Sequence, residues 1–395
     1  MSDDLFELEL TAMAHGGAAL GRHERRVVFV PYTLPGERIQ ARLTEERKSF
    51  ARGEVVEILS PSPHRVEPPC PHFGPGRCGG CHWQHIDYEA QLEFKQTVVR
   101  DQLQRIGKFD SPQVRPTLPS PSPWGYRAYM TFTVDEAGRL GLWSDDNARI
   151  VPIEECHILD PALLDAFQQL DLDPEGIERV RFQVGSQPDD RMVILSTTDD
   201  LAPEIEVDFP VSVNLLLSDN EPVNLIGSPQ VSYQVFDRAF QVTAGGFFQS
   251  NPPVAEMLVE QVLTRLDLAF IAPRAGLVVS VESYPPAVTD ADANLADLDN
   301  VDLVEGSVEA VLDDLAGPID AAVVDPPRTG LSRAVIEGLI RLAPATLVYV
   351  SCDPATLARD ARQLAEGGFE LLDVQPVDMF PQTYHVECVA SLRHR

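Results

Sequence analysis

Three of the chain's six cysteines crowd into PCPHFGPGRCGGCHWQH, residues 69–85. Cys70, Cys78 and Cys81 stand at C-x7-C-x2-C, and Cys156 in PIEECHIL could supply a fourth thiolate. Thiolates gathered by a loop can hold zinc or an iron–sulfur cluster. Zinc fingers usually bring two short C-x-x-C pairs, whereas here one pair is joined by single, distant cysteines. Inert thiols are the plainer alternative, but the flanking Pro and Gly residues are of the kind found in folded ligand loops. His72, His82 and His85 could replace a thiolate, although a lone histidine is more often a solvated or core residue. Of the two remaining thiols, Cys352 lies in VYVSCDPATLARD directly after a strand-like run, at the carboxyl end where open α/β sheets bind ligands. A buried, inert cysteine is the alternative there. Cys388 follows Glu387 in another strand-like run, so the two should face opposite sides, and Cys388 reads as core.

The elements that must position these residues fall into three segments. From Leu5 to Leu59, FELEL, RVVFVPYTLPGERIQARLTEE and ARGEVVEIL alternate apolar and polar residues between turn signals, the pattern of a small barrel. SPSPHRVEPP then reads as a linker. The second segment opens with the cysteine loop and the helical run YEAQLEFKQTVVRDQLQRIG, and becomes strand-like through Val235. From Phe240 onward helical runs (VAEMLVEQVLTRL, PAVTDADANLADL, SRAVIEGLIRL, ATLARDARQLAEGG) alternate with strand-like ones (GLVVSVE, AAVVDPPR, TLVYVSCDP), which predicts a parallel doubly wound sheet. The expected domains are 1–60, 61–239 and 240–395.

Composition bounds the reading without deciding it. A chain of 395 residues that is 44% apolar can build two or three cores. Six unevenly spread cysteines do not make a disulfide framework, which favours a reducing compartment. The start MSDDLFELEL lacks a secretory pattern and no window is apolar enough to span a bilayer, so a cytoplasmic protein without membrane contact is expected. The formal charge of −30 argues against nucleic acid, yet it is uneven: Gly16–Val66 carries nine basic and six acidic residues, Phe240 to the end nine basic and 23 acidic. Only three of the 31 basic residues are lysine. Guanidinium suits bidentate phosphate contact, but the same arginine excess can reflect compositional bias.

The run CGGCHWQHIDYEAQLEFKQ, with Cys70 before it and Cys156 after it, resembles the [4Fe-4S] ligand set of the RNA uracil-5 methyltransferases. That resemblance implies an N-terminal TRAM domain, an oligonucleotide-binding-type barrel that LPGERIQARL fits, a central mixed α+β domain holding the cluster, and a Rossmann-like S-adenosylmethionine (SAM)-dependent methyltransferase domain. It implies structured RNA, ribosomal or transfer, as the partner; no protein partner is indicated. VVDPPRTGL resembles the family's D-P-P-R-x-G-L signature, and DMFPQTYHVE its terminal H-V-E motif. The resemblance makes Cys352 the nucleophile that adds to C6 of uracil and Glu387 the base that removes the C5 proton. Asp378 and His385 are alternative bases. Gln249 in GGFFQSN, Glu282 closing GLVVSVE, Ser307 and Asp325 are the expected SAM-binding residues, while Phe247 and Phe248 could equally be core. Arg127 in WGYRAYM and Arg328 are expected at the RNA, with a local acid as Arg328's other possible partner.

One part of that pattern is missing. A methyltransferase of this class should carry a first strand and glycine-rich turn before Glu282, because only glycine lets backbone approach the cofactor closely. VLTRLDLAFIAPRAGLVVSVE holds no such turn, as though about one strand and its turn had been removed between Leu268 and Ala269. Either the chain is shortened at its donor site or a neighbouring segment substitutes. Two rival functions follow: a catalytically silent RNA-binding homologue, and a redox protein built around the cysteines.

Overall fold

Alternation decides the first sixty residues. In β1 (Phe6–Met13) Leu8 and Leu10 are buried while Glu7 and Glu9 face solvent, the period of a half-buried strand. With β2 (Ala19–His23), β3 (Arg26–Val30), β4 (Arg38–Glu46) and β5 (Phe50–Ser60) it closes a barrel in the order β1-β2-β3-β5-β4. Closure leaves no strand edge unpaired. The computed structural model describes residues 5–395 apart from 172, 174, 188, 267–274 and 316–317. The barrel core, with Leu8, Leu10, Val28, Val30 and Ile39, also takes in Trp83, Ile86, Ala90 and Val98 from beyond the linker. Arg65 holds the linker down through Nε and Nη2 bonds of 2.5 and 2.9 Å to the fully buried Glu37 carboxylate.

Asp87 caps α1 (Tyr88–Arg105), its carboxylate accepting the Ala90 N–H at 2.9 Å. The helix lies within 61–239, but Val99 and Leu103 pack among Leu347, Tyr349, Leu357 and Ala390 of the C-terminal unit. The remainder of the central segment is a seven-stranded sheet, β12-β11-β10-β9-β6-β7-β8. Its strands are β6 (Tyr129–Val134), β7 (Leu140–Trp143), β8 (Ile150–Pro152), β9 (Ile177–Val184), β10 (Arg191–Thr197), β11 (Ser212–Leu216) and β12 (Pro222–Ile226). Helix α2 (Pro161–Gln169) buries Leu163 beneath it against a core that includes Phe132, Val180 and Phe182. A hairpin, β13 (Gln230–Val235) and β14 (Arg238–Thr243), leads on to α3 (Pro252–Leu266).

After α3 come β15 (Val278–Glu282), α4 (Pro285–Leu295), β16 (Val301–Glu305), α5 (Val308–Asp314), β17 (Ala321–Val324), α6 (Arg333–Leu342), β18 (Thr346–Ser351), α7 (Pro354–Glu366), β19 (Phe369–Val377) and β20 (Glu387–His394). The alternation predicts one parallel sheet, and the structure differs in two ways. β20 inserts antiparallel between β18 and β19, because the loop joining β19 to β20 contains no crossover helix to turn it parallel. The strands also form two sheets, β15-β16 and β17-β18-β20-β19. Among the described residues β15 and β17 each pair on one side only. β18 is buried from Leu347 to Ser351, as an inner strand should be, while Val323 of β17 is 43% exposed. The junction at 268–269, where the first strand and glycine turn are expected, lies outside the described residues.

Candidate active site

Cys352 sits where β18 passes into α7, and the turn is fixed on both sides. The Ser351 hydroxyl accepts the Asp353 N–H at 3.2 Å and donates to the Asp353 carbonyl at 3.0 Å. Asp353 caps α7, one carboxylate oxygen accepting the Ala355 and Thr356 N–H groups, both at 2.9 Å. The thiol between these residues is half-buried. Burial raises its pKa, the charges of Glu387 and Asp325 raise it further, and Arg328 works against them. A thiol in this setting reaches its nucleophilic form when the neighbouring acids are neutral or a cation is close.

Glu387 opens β20, and because successive residues of a strand alternate, Cys388 points the other way into the core, fully buried. Burial pushes the Glu387 carboxyl up to about 8; Asp325 adds to the rise and Arg328 opposes it. A carboxyl poised there can both hold and release a proton near neutral pH. Asp325, just beyond β17, is exposed by area yet surrounded by enough protein for desolvation to raise its pKa. Arg328 lines a pocket of about 430 Å³ with His15, Cys352, Asp353, Tyr384 and His385. It has no salt bridge among the described residues, so its cation is available to the pocket rather than spent on a local acid. The two alternative bases are placed otherwise. Asp378 is tied to Lys95 at 2.5 Å with both side chains fully buried, and burial lowers the His385 pKa to about 3.

The remaining expected residues sit on other elements, and none of them lines the Cys352 pocket. Gln249 is half-buried in the loop between β14 and α3, where Phe248 stacks on Tyr233 at 3.9 Å and Phe247 is 68% exposed. Glu282 ends β15, one carboxylate oxygen accepting the Ser283 and Tyr284 N–H groups at 2.7 Å. Its other oxygen has no bond within the protein among the described residues, which leaves it for a ligand. Ser307 is the N-cap of α5, its hydroxyl accepting the Ala310 N–H at 3.4 Å. Arg127 bonds the Tyr129 carbonyl at 3.1 Å and influences Cys156 and His385 by its charge.

Residues 307–395 match the tRNA (Uracil-5-)-methyltransferase family model and residues 6–56 the TRAM domain. An uncharacterized RNA methyltransferase of Streptomyces coelicolor is 38% identical over 426 residues, covering 98% of this chain and 92% of its own. One of Streptomyces avermitilis is 36% identical over 423 residues, covering 98% of both chains. The chain belongs to the uracil-5 RNA methyltransferase family. Its fold is that of the Pyrococcus abyssi tRNA (uracil-54, C5)-methyltransferase crystallised with S-adenosyl-L-homocysteine, at a TM-score of 0.74 and 24% identity over 98% of this chain and 100% of that one. Both Streptomyces alignments run longer than this methyltransferase's own 395 residues, so it lacks positions that those relatives carry.

The methyltransferase brings Cys70, Cys78, Cys81 and Cys156 to one pocket, with His72 and Gln84 beside them. Among the described residues no three metal-binding side chains converge closely enough for a single ion. Burial pushes Cys78 up to about 11, and the charges of Cys156 and Cys70 add to that rise. A cationic centre would relieve this mutual repulsion. The Gly80 N–H donates to the Cys78 sulfur at 3.4 Å, which holds the loop around that thiol.

Sequence reasoning missed three contributors. His15, in the β1–β2 turn, reaches Asp353 from the barrel at 3.3 Å. Lys95 of α1 supports the loop between β19 and β20 through Asp378 and the Phe380 carbonyl. Arg181 of β9 stacks 4.3 Å over the Tyr129 ring and donates to the Gly246 carbonyl at 3.2 Å. Each acts across a large sequence separation, and nothing local announces it. Among the described residues no helix is long and apolar enough to cross a membrane.

Proposed function

We propose that this methyltransferase transfers a methyl group from SAM to C5 of a uridine in structured ribosomal or transfer RNA. The observation that carries the reading is the meeting of the Cys352 thiol and the unpaired Arg328 cation at one pocket, with the near-neutral Glu387 carboxyl buried close enough to act on that thiol by its charge. C5 of uracil is a weak nucleophile. Addition of the Cys352 thiolate to C6 forms a C–S bond and moves the ring electrons to an enolate, so that C5 gains the nucleophilicity that substitution needs. Bound SAM supplies an electrophilic methyl group. With C5 methylated, the Glu387 carboxylate takes the C5 proton; the electrons restore the C5–C6 double bond and expel the thiolate. The Arg328 cation favours both anionic forms that this sequence uses. A uridine in a stacked RNA must leave the stack to reach the pocket.

Glu282 with its open oxygen, Gln249 and Asp325 are the described residues suited to hold SAM, and Cys70, Cys78, Cys81 and Cys156 those suited to hold a [4Fe-4S] cluster with a structural role. The test is substitution with labelled donor and RNA. Cys352→Ala should abolish turnover, whereas Glu387→Gln should accumulate an RNA–protein adduct that survives denaturing gels. Full turnover by Cys352→Ala would sink the assignment. A second reading, an RNA binder without donor affinity, is favoured by the long alignments of the relatives, which carry positions that this chain lacks. Isothermal titration with SAM separates the two.

A further inference from the structure

The pocket at Cys352 has a wall that comes from the barrel. Its lining includes His15 and Gly16, at the turn between β1 and β2, more than three hundred residues away in sequence. That turn is held on three sides. Ala14 N–H donates to the Ala18 carbonyl at 2.9 Å, closing the hairpin end. The Gly17 carbonyl accepts the Trp83 indole N–H at 3.0 Å. Gly17 also lies so close to Tyr384 that a Cβ would come within 2.6 Å of the ring, and its φ of +86° suits glycine alone. Such a turn is tied to the segment around Tyr384 as well as to its own hairpin.

His15 Nε2 lies 3.3 Å from an Asp353 carboxylate oxygen, while the other oxygen caps α7. Burial alone would raise the Asp353 pKa, but the His15 bond and the helix N–H groups hold it at about 2, so the carboxylate only accepts. The proton in this contact therefore sits on Nε2. Nδ1 has no protein partner among the described residues, and the side chain is 35% exposed at the pocket rim. It is a polar handle whose orientation is set by the residue next to the nucleophile.

We propose that His15 is a binding residue of the catalytic pocket, holding the target nucleotide against Cys352 through Nδ1, so that the barrel supplies part of the active site. The proposal rests on the reading of Cys352 as the thiol that faces the target base. His15 then governs whether bound RNA places a nucleotide in the pocket, separately from how tightly the RNA binds overall.

The test needs no methyl donor. Cys352 is alkylated with iodoacetamide, alone and with a saturating stem–loop RNA carrying one loop uridine, and the modified peptide is quantified by mass spectrometry; RNA affinity is measured in parallel by filter binding. Wild-type protein should show RNA protection of Cys352. His15→Ala should keep the affinity within about threefold and lose about tenfold of the protection, the scale of one hydrogen bond to a polar partner. His15→Gln, which keeps a donor for Asp353, should recover part of it. Asp353→Asn retains an oxygen for the helix cap and should move protection in the same direction as His15→Ala, which covers the case of an unstable loop variant. Parallel loss of affinity and protection would make His15 a general RNA anchor and overturn the proposal, as would protection unchanged in His15→Ala. Wild-type protein that binds the RNA without any protection of Cys352 would instead refute the reading of Cys352, and the proposal with it.

Discussion

Replacing Glu387 by glutamine should stabilise the protein while disabling it, and the gain should depend on pH. Glu387 is 4% exposed, and burial reinforced by Asp325 moves its pKa from 4.5 to about 8. A folded-state pKa above the unfolded one means that the group's stability is fully present below about pH 4.5 and is lost as pH rises through about 8. Each unit corresponds to ~1.36 kcal/mol, so the buried acid costs about 3 kcal/mol at pH 7 and about 5 kcal/mol above pH 9. Glutamine copies the shape of the protonated carboxyl and never ionises. Glu387→Gln should therefore match wild type near pH 4 and exceed it by about 3 kcal/mol at pH 7, which for a unit of this size raises its melting temperature by about 6–12 °C. Scanning calorimetry from pH 4 to pH 9 follows the difference through the transition of the C-terminal unit. A difference that is constant across that range, or that shrinks as pH rises, would refute the reasoning.

The same shifts set the pH dependence of turnover: Glu387 must lose its proton at about pH 8 and Cys352, raised from an ordinary thiol value that is already higher, above that, so kcat/KM should rise through about pH 8 and keep rising beyond it, and Arg328→Ala should move the rise further upward. A profile already flat from pH 6 would contradict this. Lys95→Met leaves the Asp378 carboxylate buried without its partner and should destabilise by about 3–5 kcal/mol, with Lys95→Met/Asp378→Asn recovering most of the loss in thermal melts. A single-variant loss under about 1 kcal/mol would make the pair dispensable. Cys78→Ala, in protein purified without oxygen, should lower bound iron and sulfide together in colorimetric analysis; equal metal content in both proteins would remove the cluster from the proposal.

Much of the site was legible because it depends on local rules. FELEL announces its strand by alternation, and the same rule separates Glu387 from Cys388. TLVYVSCDP followed by ATLARD places a thiol at the end of a strand, and Cys352 does follow β18 directly. What stayed hidden depends on partners distant in the chain. Nothing in YEAQLEFKQTVVRDQLQR says that Lys95 will find Asp378, or that Val99 and Leu103 will join the C-terminal core instead of the sheet that follows them. The antiparallel β20 was missed because a strand's direction is set by its connection, and the loop between β19 and β20 carries no periodicity to reveal it. His15 sits in a glycine turn whose sequence reads only as a hairpin end.

The extension of the barrel core by Trp83, Ile86, Ala90 and Val98 bears on how portable this module is. Cutting the chain after Ser60 would uncover the apolar end that these side chains close and would release the Arg65 latch from Glu37. A graft of residues 1–60 onto another protein should therefore aggregate, whereas one carried through residue 98 would bring its own lid. That lid contains the cysteine loop and the start of α1. Exchange of barrels between related enzymes is thus constrained to move the thiol loop with them, so that a change of RNA-facing module would travel with a change in the loop bonded to the catalytic segment through the Gln382 carbonyl.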